Sequence, residues 1–425
     1  MQATVDEKAN LQKEVEVLTS NLRFTKIFQN TGADTVTIGN AQQTSTFEIP
    51  AVAFNLAKSY LNYKASFAAQ GAGQYAHIFK DVVPWSRLEL YTRGGVYLCD
   101  ITNMDYAHRA IGVRYKSVSD FQDSKSGIID RFGNTVQNGY FTIEETQSSG
   151  DNAALNDVVW RINLSELYQT VLSLDKSIML REVLLLKITW NPSTHWGYQS
   201  DNANPGAGNM TALGGNVSVS AMNLFLAQEM NGSLINSLNN RIMAGSLNAL
   251  IPYVHVFKNT LNNQVSHSVS TRLNRGHGER VQEILTLTSF GNAGDESVND
   301  RYNTEVAPGG NPLITSYYSL LDSSRLSEFD KKLADNDDVW MNRHLTDGTI
   351  SGLSAAIARA RFAPRDAFGS ELEAAKNQII SGLSLNVERK YDLYVSNANA
   401  RTTNYYTVAV CQKMLSVTPQ GVVVM

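Results

Sequence analysis

Short runs of strand-forming residues, separated by turn residues, follow one another from about residue 23 to the end of the chain. In 86–101, apolar and polar residues alternate on both sides of Gly94-Gly95, and glycines permit the positive φ angles of a tight primed turn. Many such strands with few helices are typical of a sandwich or barrel. The sequence therefore predicts an all-β protein, with further strands at 23–29, 34–39, 47–67, 280–290, 390–397 and 404–417.

Within the strand-rich part of the chain, the predicted helices are few and short. Residues 233–245 place three apolar side chains on one helical face and finish on a glycine, which suits a helix C-terminus. The segment 370–382 starts with a serine and ends near a glycine, and it is predicted as another short helix. A still shorter helix is predicted after Asn163, with Glu166 placed for a capping-box contact.

The first 22 residues are predicted to form an N-terminal helical arm. A seam of about three turns is too short for an independent coiled coil. The arm is therefore interpreted as a segment that docks on something during assembly, the alternative being a frayed tail, and its mostly acidic charges make it a poor DNA-binding arm. The predicted assembly contact is an apolar stripe with a 4-3-4 spacing, formed by Leu11, Val15, Leu18 and Leu22.

The composition suits a protein that associates with copies of itself. Hydrophobic residues make up 43% of the chain, which is enough to build real cores. Charged residues make up 18%, below the roughly 25% of typical soluble domains, and a surface poor in charge favours broad buried contacts. A loop-rich β protein would show the same composition. The formal net charge of −4 indicates no strong basic field, so we expect no strong direct nucleic-acid site.

The cysteines and the apolar runs indicate in which cellular environment the protein folds. Cys99 and Cys411 lie far apart in the sequence, which gives no disulfide framework and fits a reducing environment. The N-terminus lacks the apolar region of a signal peptide. The longest apolar runs, such as 183–186, are far too short to span a bilayer, so no membrane-spanning segment is expected.

Familiar catalytic and metal-binding motifs are missing from the sequence. It contains no P-loop, no H-E-x-x-H and no C-x-x-C pair, and the run 71–76 lacks the third glycine of a dinucleotide fingerprint. His267 and His277 are the tightest pair of histidines, and a polar turn is favoured there over a strand-borne metal site. The arginines of the same segment are interpreted as loop anchors or inter-subunit contacts. They are Arg272, Arg275 and Arg280.

Two charged clusters further along the chain are also interpreted as surface features and not as ligand sites. Asp335, Asp337 and Asp338 offer oxygen ligands, but the run lacks the glycine and distal glutamate of a calcium loop, so a solvated turn is favoured. Three arginines further on are interpreted as solvated charges or an interface rim, and not as a phosphate-binding cradle. A helix would place the first two on different sides, and Pro364 argues against a helix that continues to the third. The three arginines are Arg359, Arg361 and Arg365.

The apolar stretch 160–190 contains polar groups that invite a catalytic interpretation. Ser165 falls in the first turn of a short predicted helix, not on the strand-to-helix elbow of a G-x-S-x-G nucleophile. Asp175-Lys176 cannot face each other on one element and are predicted as a turn. The next apolar run is predicted as a core strand that includes Leu185. No nucleophile–base geometry supports catalysis, so no catalytic, cofactor-binding or metal-binding residue is predicted.

This stretch also carries a resemblance to a known family. Residues 158–191 resemble the part of double jelly-roll major capsid proteins in which a strand gives way to a short leucine-rich helix, a turn and a long apolar strand. Residues 217–259 resemble the last strand of the first roll, a connecting helix and the first strand of the second roll in the same family. The branch most resembled is that of polinton-like viruses, virophages and adomaviruses. Further pieces resemble early strands of the two rolls, at 54–67, 85–101, 268–290 and 316–330.

The resemblance implies two tandem eight-stranded antiparallel jelly rolls, with short helices in the connections. The first roll is expected at 23–230, a connecting helix at 231–247 and the second roll at 248–425, preceded by the arm at 1–22. The segment 191–216, which composition alone would make a linker, becomes a loop of the first roll. The apolar C-terminus, 421–425, is expected to pair with a sheet edge or a neighbour.

The resemblance also implies a function. The protein is expected to be a structural component of the virion, not an enzyme, and to need no cofactor. It would form a homotrimeric capsomer of pseudo-hexagonal outline, and these capsomers would tile an icosahedral shell around a DNA genome. The shell would be assembled inside the host cell. Its partners would be copies of itself and minor capsid or penton proteins.

Two alternative functions belong to other classes of β protein. A receptor- or glycan-binding β-sandwich needs an aromatic platform in its loops, for which Trp196 and Tyr198 are modest candidates. A cupin-like enzyme needs a compact set of histidine and carboxylate groups, and no such set is evident in the sequence.

Overall fold

The computed structural model describes residues 21–30, 35–39, 41–68, 75–79, 83–115, 127–129, 140–143, 155–200, 211–245, 247–274, 276, 278–290, 314–326, 330–332, 357–361 and 382–425. These parts of the chain are mostly β, and their strands pair in antiparallel fashion. The predicted all-β class is therefore confirmed.

The strands before residue 230 form three sheets. The largest has the order β1-β14-β4-β10-β8, with β2 beside β14, and the second has the order β3-β11-β6-β7. A smaller sheet has the order β13-β12-β5-β9. The strands are β1 (Leu22–Phe28), β2 (Thr35–Ile38), β3 (Thr44–Ile49), β4 (Phe54–Phe67), β5 (Tyr75–Phe79), β6 (Trp85–Thr92), β7 (Tyr97–Thr102), β8 (Gly127–Ile129), β9 (Tyr140–Ile143), β10 (Leu155–Asn163), β11 (Leu184–Trp190), β12 (Gly197–Ser200), β13 (Thr211–Ala212) and β14 (Val217–Glu229).

The strands after residue 246 form a fourth sheet built on two very long strands. β15 and β22 pair along most of their lengths, while one part of β22 also bonds β17 and another part bonds β16. The predicted strands at 390–397 and 404–417 are thus two parts of one strand. The elements are β15 (Leu247–Leu273), β16 (Arg280–Phe290), β17 (Ile314–Leu321), β18 (Ser324–Arg325), β19 (Lys331–Lys332), β20 (Ile357–Arg361), β21 (Leu383–Ser384), β22 (Arg389–Thr418) and β23 (Gly421–Val424).

The β6–β7 hairpin is present as predicted, but its turn differs. The amide of Gly95 donates to the carbonyl of Thr92 at 2.8 Å, and the amide of Thr92 donates to the carbonyl of Val96 at 2.9 Å. Gly95 has a φ of 90°. A three-residue loop with its last residue in the left-handed region therefore replaces the predicted primed turn, and a glycine suits that last position.

The helices lie in connections. α1 (Met104–Tyr115) follows β7, and α2 (Gly232–Met243) connects β14 to β15. α2 begins where the side chain of Asn231 accepts hydrogen bonds from the amides of Ser233 and Leu234, and it is followed by Gly245 with a φ of 64°. The helix predicted at 233–245 is therefore present, at Gly232–Met243. Three short 3-10 helices occur at Leu164–Glu166, Val171–Ser173 and Ser193–His195.

The predicted N-terminal arm is corrected at its end. Leu22 is the first residue of β1 and pairs with Glu229 of β14, so the helix predicted for 1–22 does not include it. The buried carboxylate of Glu229 accepts hydrogen bonds from the amides of Asn21, at 2.8 Å, and Asn231, at 3.0 Å, which holds the start of β1 beside the start of α2. Leu11, Val15 and Leu18 lie outside the described residues.

The core of the first half is an aromatic cluster between its two large sheets. The rings of Tyr63 and Trp160 stack at 5.9 Å, and those of Trp190 and Trp196 stack at 5.6 Å. The two pairs meet edge to face, with Tyr63 and Trp190 at 5.3 Å. Because the residues come from β4, β10, β11 and the segment after it, this cluster holds the sheets together.

The two halves are packed against each other. Tyr106 of α1 stacks on Tyr406 of β22 with ring centroids 3.8 Å apart. Leu98 of β7 and Val254 of β15 belong to the same buried cluster. A second buried cluster lies wholly within the second half and contains Val269, Tyr391 and Tyr405 among others, so that half also has a core of its own.

The segment 191–216 and the C-terminus both form strands within the chain. In the segment 191–216, which is predicted to be a loop, the described residues include β12 and β13, and β12 pairs with both β13 and β5. At the C-terminus, β23 pairs with the end of β22, and Met425 exchanges two backbone hydrogen bonds with Met414. The expected pairing of residues 421–425 with a sheet edge is therefore confirmed within the chain.

Candidate functional site

The polar residues of 160–190 have structural contacts. Ser165 lies in the 3-10 helix Leu164–Glu166, and the side chain of Asn163 donates to Glu166 at 3.2 Å without capping the helix. The turn predicted around Asp175 is present, and its carboxylate accepts from Asn55 and from Lys58, both at 2.8 Å. Burial opposes ionisation of Asp175, but these two hydrogen bonds outweigh it and lower its pKa. The group therefore anchors a turn to β4.

The core strand predicted at the end of this stretch is β11, which lies between β3 and β6. Leu184, Leu186 and Ile188 are buried in the core. Leu185 points to the other face and is only half-buried, opposite Glu48 of β3 and Tyr91 of β6. The prediction that Leu185 belongs to the core is therefore wrong by one position, since side chains alternate along a strand.

The two histidines considered as a metal pair are not brought together by any described contact, because His277 lies outside the described residues. His267 is not in the favoured polar turn but buried in β15. Its Nδ1 lies 2.7 Å from the Tyr405 hydroxyl and 3.4 Å from the Asn397 amide nitrogen. Burial, together with the charge of Arg401, lowers the pKa of His267.

The charged sets singled out in the sequence do not form one cluster in the described residues. Arg272 is exposed and lies 3.9 Å from Glu388, whereas Arg280 starts β16 and donates to the carbonyl of Gly382 at 3.3 Å. Arg359 and Arg361 are in β20, a strand that pairs with β16. The remaining members of these sets lie outside the described residues. They are Arg275, Asp335, Asp337, Asp338 and Arg365.

Trp196 is one of the two aromatic residues suggested for a glycan site. Trp196 is buried within the aromatic cluster of the first half, with 1% of its surface exposed. A ring at that position cannot stack on a ligand from solvent, so Trp196 gives no support to a receptor- or glycan-binding function, and the side chain of Tyr198 lies outside the described residues.

An exposed aromatic face lies elsewhere, on the outer side of the largest sheet of the first half. Phe24 and Phe28 of β1 are 53% and 67% exposed. Across the neighbouring strands, Phe24 meets Tyr60 at 5.5 Å, Tyr60 stacks on Phe225 at 4.7 Å, and the guanidinium of Arg161 lies 4.2 Å from the centre of the Tyr60 ring. We call these five residues the β1 face. Among the described strands β1 pairs only with β14, so the face ends at an open sheet edge.

A compact group of metal-ligand types lies in the second half, where the sequence motifs gave no indication of one. His255 of β15, Glu279 just before β16 and Cys411 of β22 offer ligand atoms that all lie within 4.8 Å of one another. His255 Nε2 is 2.5 Å from Glu279 Oε1, and Lys413 Nζ is 3.4 Å from Glu279 Oε2. These residues are far apart in the sequence, and the pairing of β22 with both β15 and β16 brings them together, so no local motif could reveal them.

The electrostatics of this group favour a charged carboxylate and a neutral thiol. Burial opposes ionisation of Glu279, but the hydrogen bond with His255 and the charges of His255 and Lys413 lower its pKa. Burial, reinforced by the neighbouring Glu279, raises the pKa of the Cys411 thiol well above its ordinary value.

Comparisons with known proteins identify the fold. No protein-family model and no curated protein sequence matches the chain. Among solved structures, the capsid of the virus PBCV-1 matches with a TM-score of 0.56 and 11% identity, covering 96% of this chain and 97% of that one. The Sputnik virophage structure matches with a TM-score of 0.52 and 12% identity over 96% and 89% of the two chains. The mavirus major capsid protein gives 0.52 and 11% over 95% and 89%.

These likenesses extend over both halves of the chain and establish its architecture. The chain has the double jelly-roll fold, as the resemblance in the sequence implied. In the described residues, no helix is long and apolar enough to cross a membrane.

Proposed function

We propose that the protein is a viral major capsid protein whose trimers, pseudo-hexagonal in outline, tile an icosahedral shell around a DNA genome. The observation that carries this proposal is the likeness to capsid proteins over 96% of this chain and 97% of the PBCV-1 chain. An architecture shared from one end to the other leaves little of the chain for a separate activity. The role is structural, and the protein resides in the virion.

The same proposal assigns the parts of the chain. Residues 23–230 form the first roll, 231–247 the connecting helix and 248–425 the second roll. The separation of strands supports this division, because the sheets described before α2 contain no strand from after it. The arm, now taken to end before β1, contributes Leu11, Val15 and Leu18 to a contact at the capsomer base with minor capsid or penton proteins. Shells that assemble normally after deletion of residues 1–20 would rule this contact out.

Contacts between copies of the chain are assigned to the β1 face. A second copy is the occupant that the proposed shell requires, and two exposed phenylalanines beside an open strand edge are unusual for a surface that remains in water. Aromatic side chains and arginine, both present on this face, are enriched at the centres of protein interfaces.

The test is the mass and shape of the purified protein. Light scattering after size exclusion should give three times the mass of the chain, and negative-stain images should show particles of hexagonal outline. A monomer that binds glycans would instead support the receptor-binding alternative, and a monomer with catalytic turnover would support an enzyme.

A pair of variants tests the β1 face separately. Phe28→Asp should reduce the trimer fraction without changing the thermal midpoint, because Phe28 is mostly exposed in the single chain. Val387→Asp is the matched control, since Val387 is 53% exposed but lies outside this face. If both variants remain trimeric, the β1 face is not the contact, although the capsid proposal itself would still stand on the mass measurement.

A further inference from the structure

The second roll contains a three-residue site with the donor atoms of a metal centre. In the ladder between β15 and β22, Tyr253 stands opposite Cys411, and His255 follows two residues later on the same side of β15. Glu279 enters from the turn that leads into β16. The imidazole, carboxylate and thiol donors lie within 4.8 Å of one another although they come from three separate elements.

We propose that His255, Glu279 and Cys411 bind one Zn²⁺ ion, with a water molecule as the fourth ligand. Imidazole nitrogen, thiolate sulfur and carboxylate oxygen are the ligands that zinc uses in proteins, in tetrahedral geometry. Glu279 and Cys411 are buried, while the side chain of His255 is 35% exposed and gives the ion and a water access from solvent. This inference does not depend on the proposed capsid function.

Binding the ion requires the donors to move by roughly 1 Å: the imidazole and carboxylate must separate, and any pair at the 4.8 Å limit must close. Zinc–ligand bonds of about 2.0–2.3 Å place two tetrahedral ligands about 3.3–3.6 Å apart. His255 Nε2 and Glu279 Oε1 are at 2.5 Å, the separation of a hydrogen bond, so the ion would replace the proton between them and move them apart by roughly 1 Å. Zinc binding thus displaces the proton of the His255–Glu279 hydrogen bond, to His255 Nδ1 or to solvent, and the Cys411 thiol proton to solvent.

Lys413 is the principal electrostatic opponent of a bound cation. Its ammonium lies 3.4 Å from Glu279 Oε2 and 3.8 Å from the centre of the Tyr253 ring. The competing arrangement without metal is an ion-pair network of His255, Glu279 and Lys413. The two arrangements make opposite predictions for Lys413→Gln, which should tighten zinc binding if the site is a metal centre and only loosen the turn if it is an ion-pair network.

Cobalt substitution of the full-length protein provides the direct test. Chelator-treated protein titrated with Co²⁺ should develop the thiolate-to-metal absorption band and the visible bands of a tetrahedral site. Cys411→Ser should abolish the thiolate band, and Cys99→Ser, at the other buried free cysteine, should leave it unchanged. A missing band in the wild type, or a band that survives Cys411→Ser, would overturn the proposal.

Zinc affinity, measured by competition with a chromophoric chelator, is a second readout of the site. His255→Gln should weaken binding by more than the roughly 10–100-fold that is typical when a residue merely orienting a ligand is replaced. His267→Gln, in a buried histidine of the same strand, should not change the affinity. Zinc should also raise the thermal midpoint of the wild type and leave that of His255→Gln unchanged. Equal affinities for wild type and His255→Gln would exclude the site.

Discussion

The cores of the two halves are built on different principles. Between the large sheets of the first half, the rings of Tyr63, Trp160, Trp190 and Trp196 pack against one another as a single aromatic cluster. The core of the second half includes buried polar groups that depend on specific partners, such as His267 beside Tyr405. An apolar core tolerates any arrangement that fills space, whereas a buried polar group is costly unless its hydrogen bonds are made. The aromatic cluster of the first half should therefore respond to changes of volume and polarity, and the core around His267 to single hydrogen bonds and to pH.

The largest effect is expected from Leu186→Asp in the first half. A carboxylate at this position in the buried core would have no partner, so we expect a loss of more than about 4 kcal/mol of stability, enough to prevent folding. Leu185→Asp is the matched control on the half-exposed face of the same strand, and it should fold. Circular dichroism of the two variants decides, and equal loss of structure would contradict the assigned orientation of β11.

Trp190→Ala should cause the next largest loss of stability. Its ring contacts Tyr63, Trp85 and Trp196, and its indole donates to Ser45 at 3.0 Å. The cavity left behind should cost about 3–5 kcal/mol. Urea unfolding followed by circular dichroism measures the loss. A cost below about 1 kcal/mol would mean that this cluster does not hold the two sheets together.

In the second half, Tyr405→Phe should lower stability by less than Trp190→Ala does, and the loss should come from one hydrogen bond. The substitution preserves the volume of the ring and removes the hydroxyl that lies 2.7 Å from His267. Leaving a buried polar partner unsatisfied should cost about 1–3 kcal/mol. Tyr394→Phe is the control, since Tyr394 is half-exposed and stacks on Tyr318. Hydrogen exchange of β22 should accelerate in the first variant and not in the second.

The second half should also lose stability in mild acid. Burial lowers the pKa of folded His267, so below about 6.5, its ordinary value, the unfolded chain takes up a proton that the folded chain does not. The contribution is fully present above pH 6.5 and declines as the pH falls toward the lower folded value. His267→Gln should flatten this part of the pH profile of the thermal midpoint. An unchanged slope would assign the acid sensitivity to other groups.

The difference between the halves also explains which features are predictable from the sequence. The β6–β7 hairpin, α2 and the pairing of the C-terminus depend on local signals, namely alternation, a capping residue and an apolar run, and all three are predictable. The prediction for Leu185 is wrong because a continuous apolar run gives no sign of which positions face inward. Trp196 lies in a segment rich in turn residues, and local composition there gives no sign that its ring is buried.

The group of His255, Glu279 and Cys411 could not be predicted for a different physical reason. Its members are brought together by the register of β15 against β22 and by the turn before β16. A change of one residue in that register would move Cys411 to the opposite face of the sheet. Sites of this kind depend on long-range pairing, which composition and spacing do not encode.

The smallest effect is expected from Ser165→Ala, which separates the architectural from the catalytic interpretation of the first half. Ser165 is a half-buried residue of a 3-10 helix, so its removal should change stability by no more than about 0.5 kcal/mol. Thr170→Ala, five residues later, is the contrasting variant. The Thr170 hydroxyl donates to the carbonyl of Leu167 at 2.7 Å and accepts from the amide of Leu172 at 3.2 Å, so its loss should cost about 1 kcal/mol. Urea unfolding of both variants, with particle imaging, provides the measurement. If Ser165→Ala removed a catalytic activity while leaving stability intact, the structural role assigned to this stretch would be wrong.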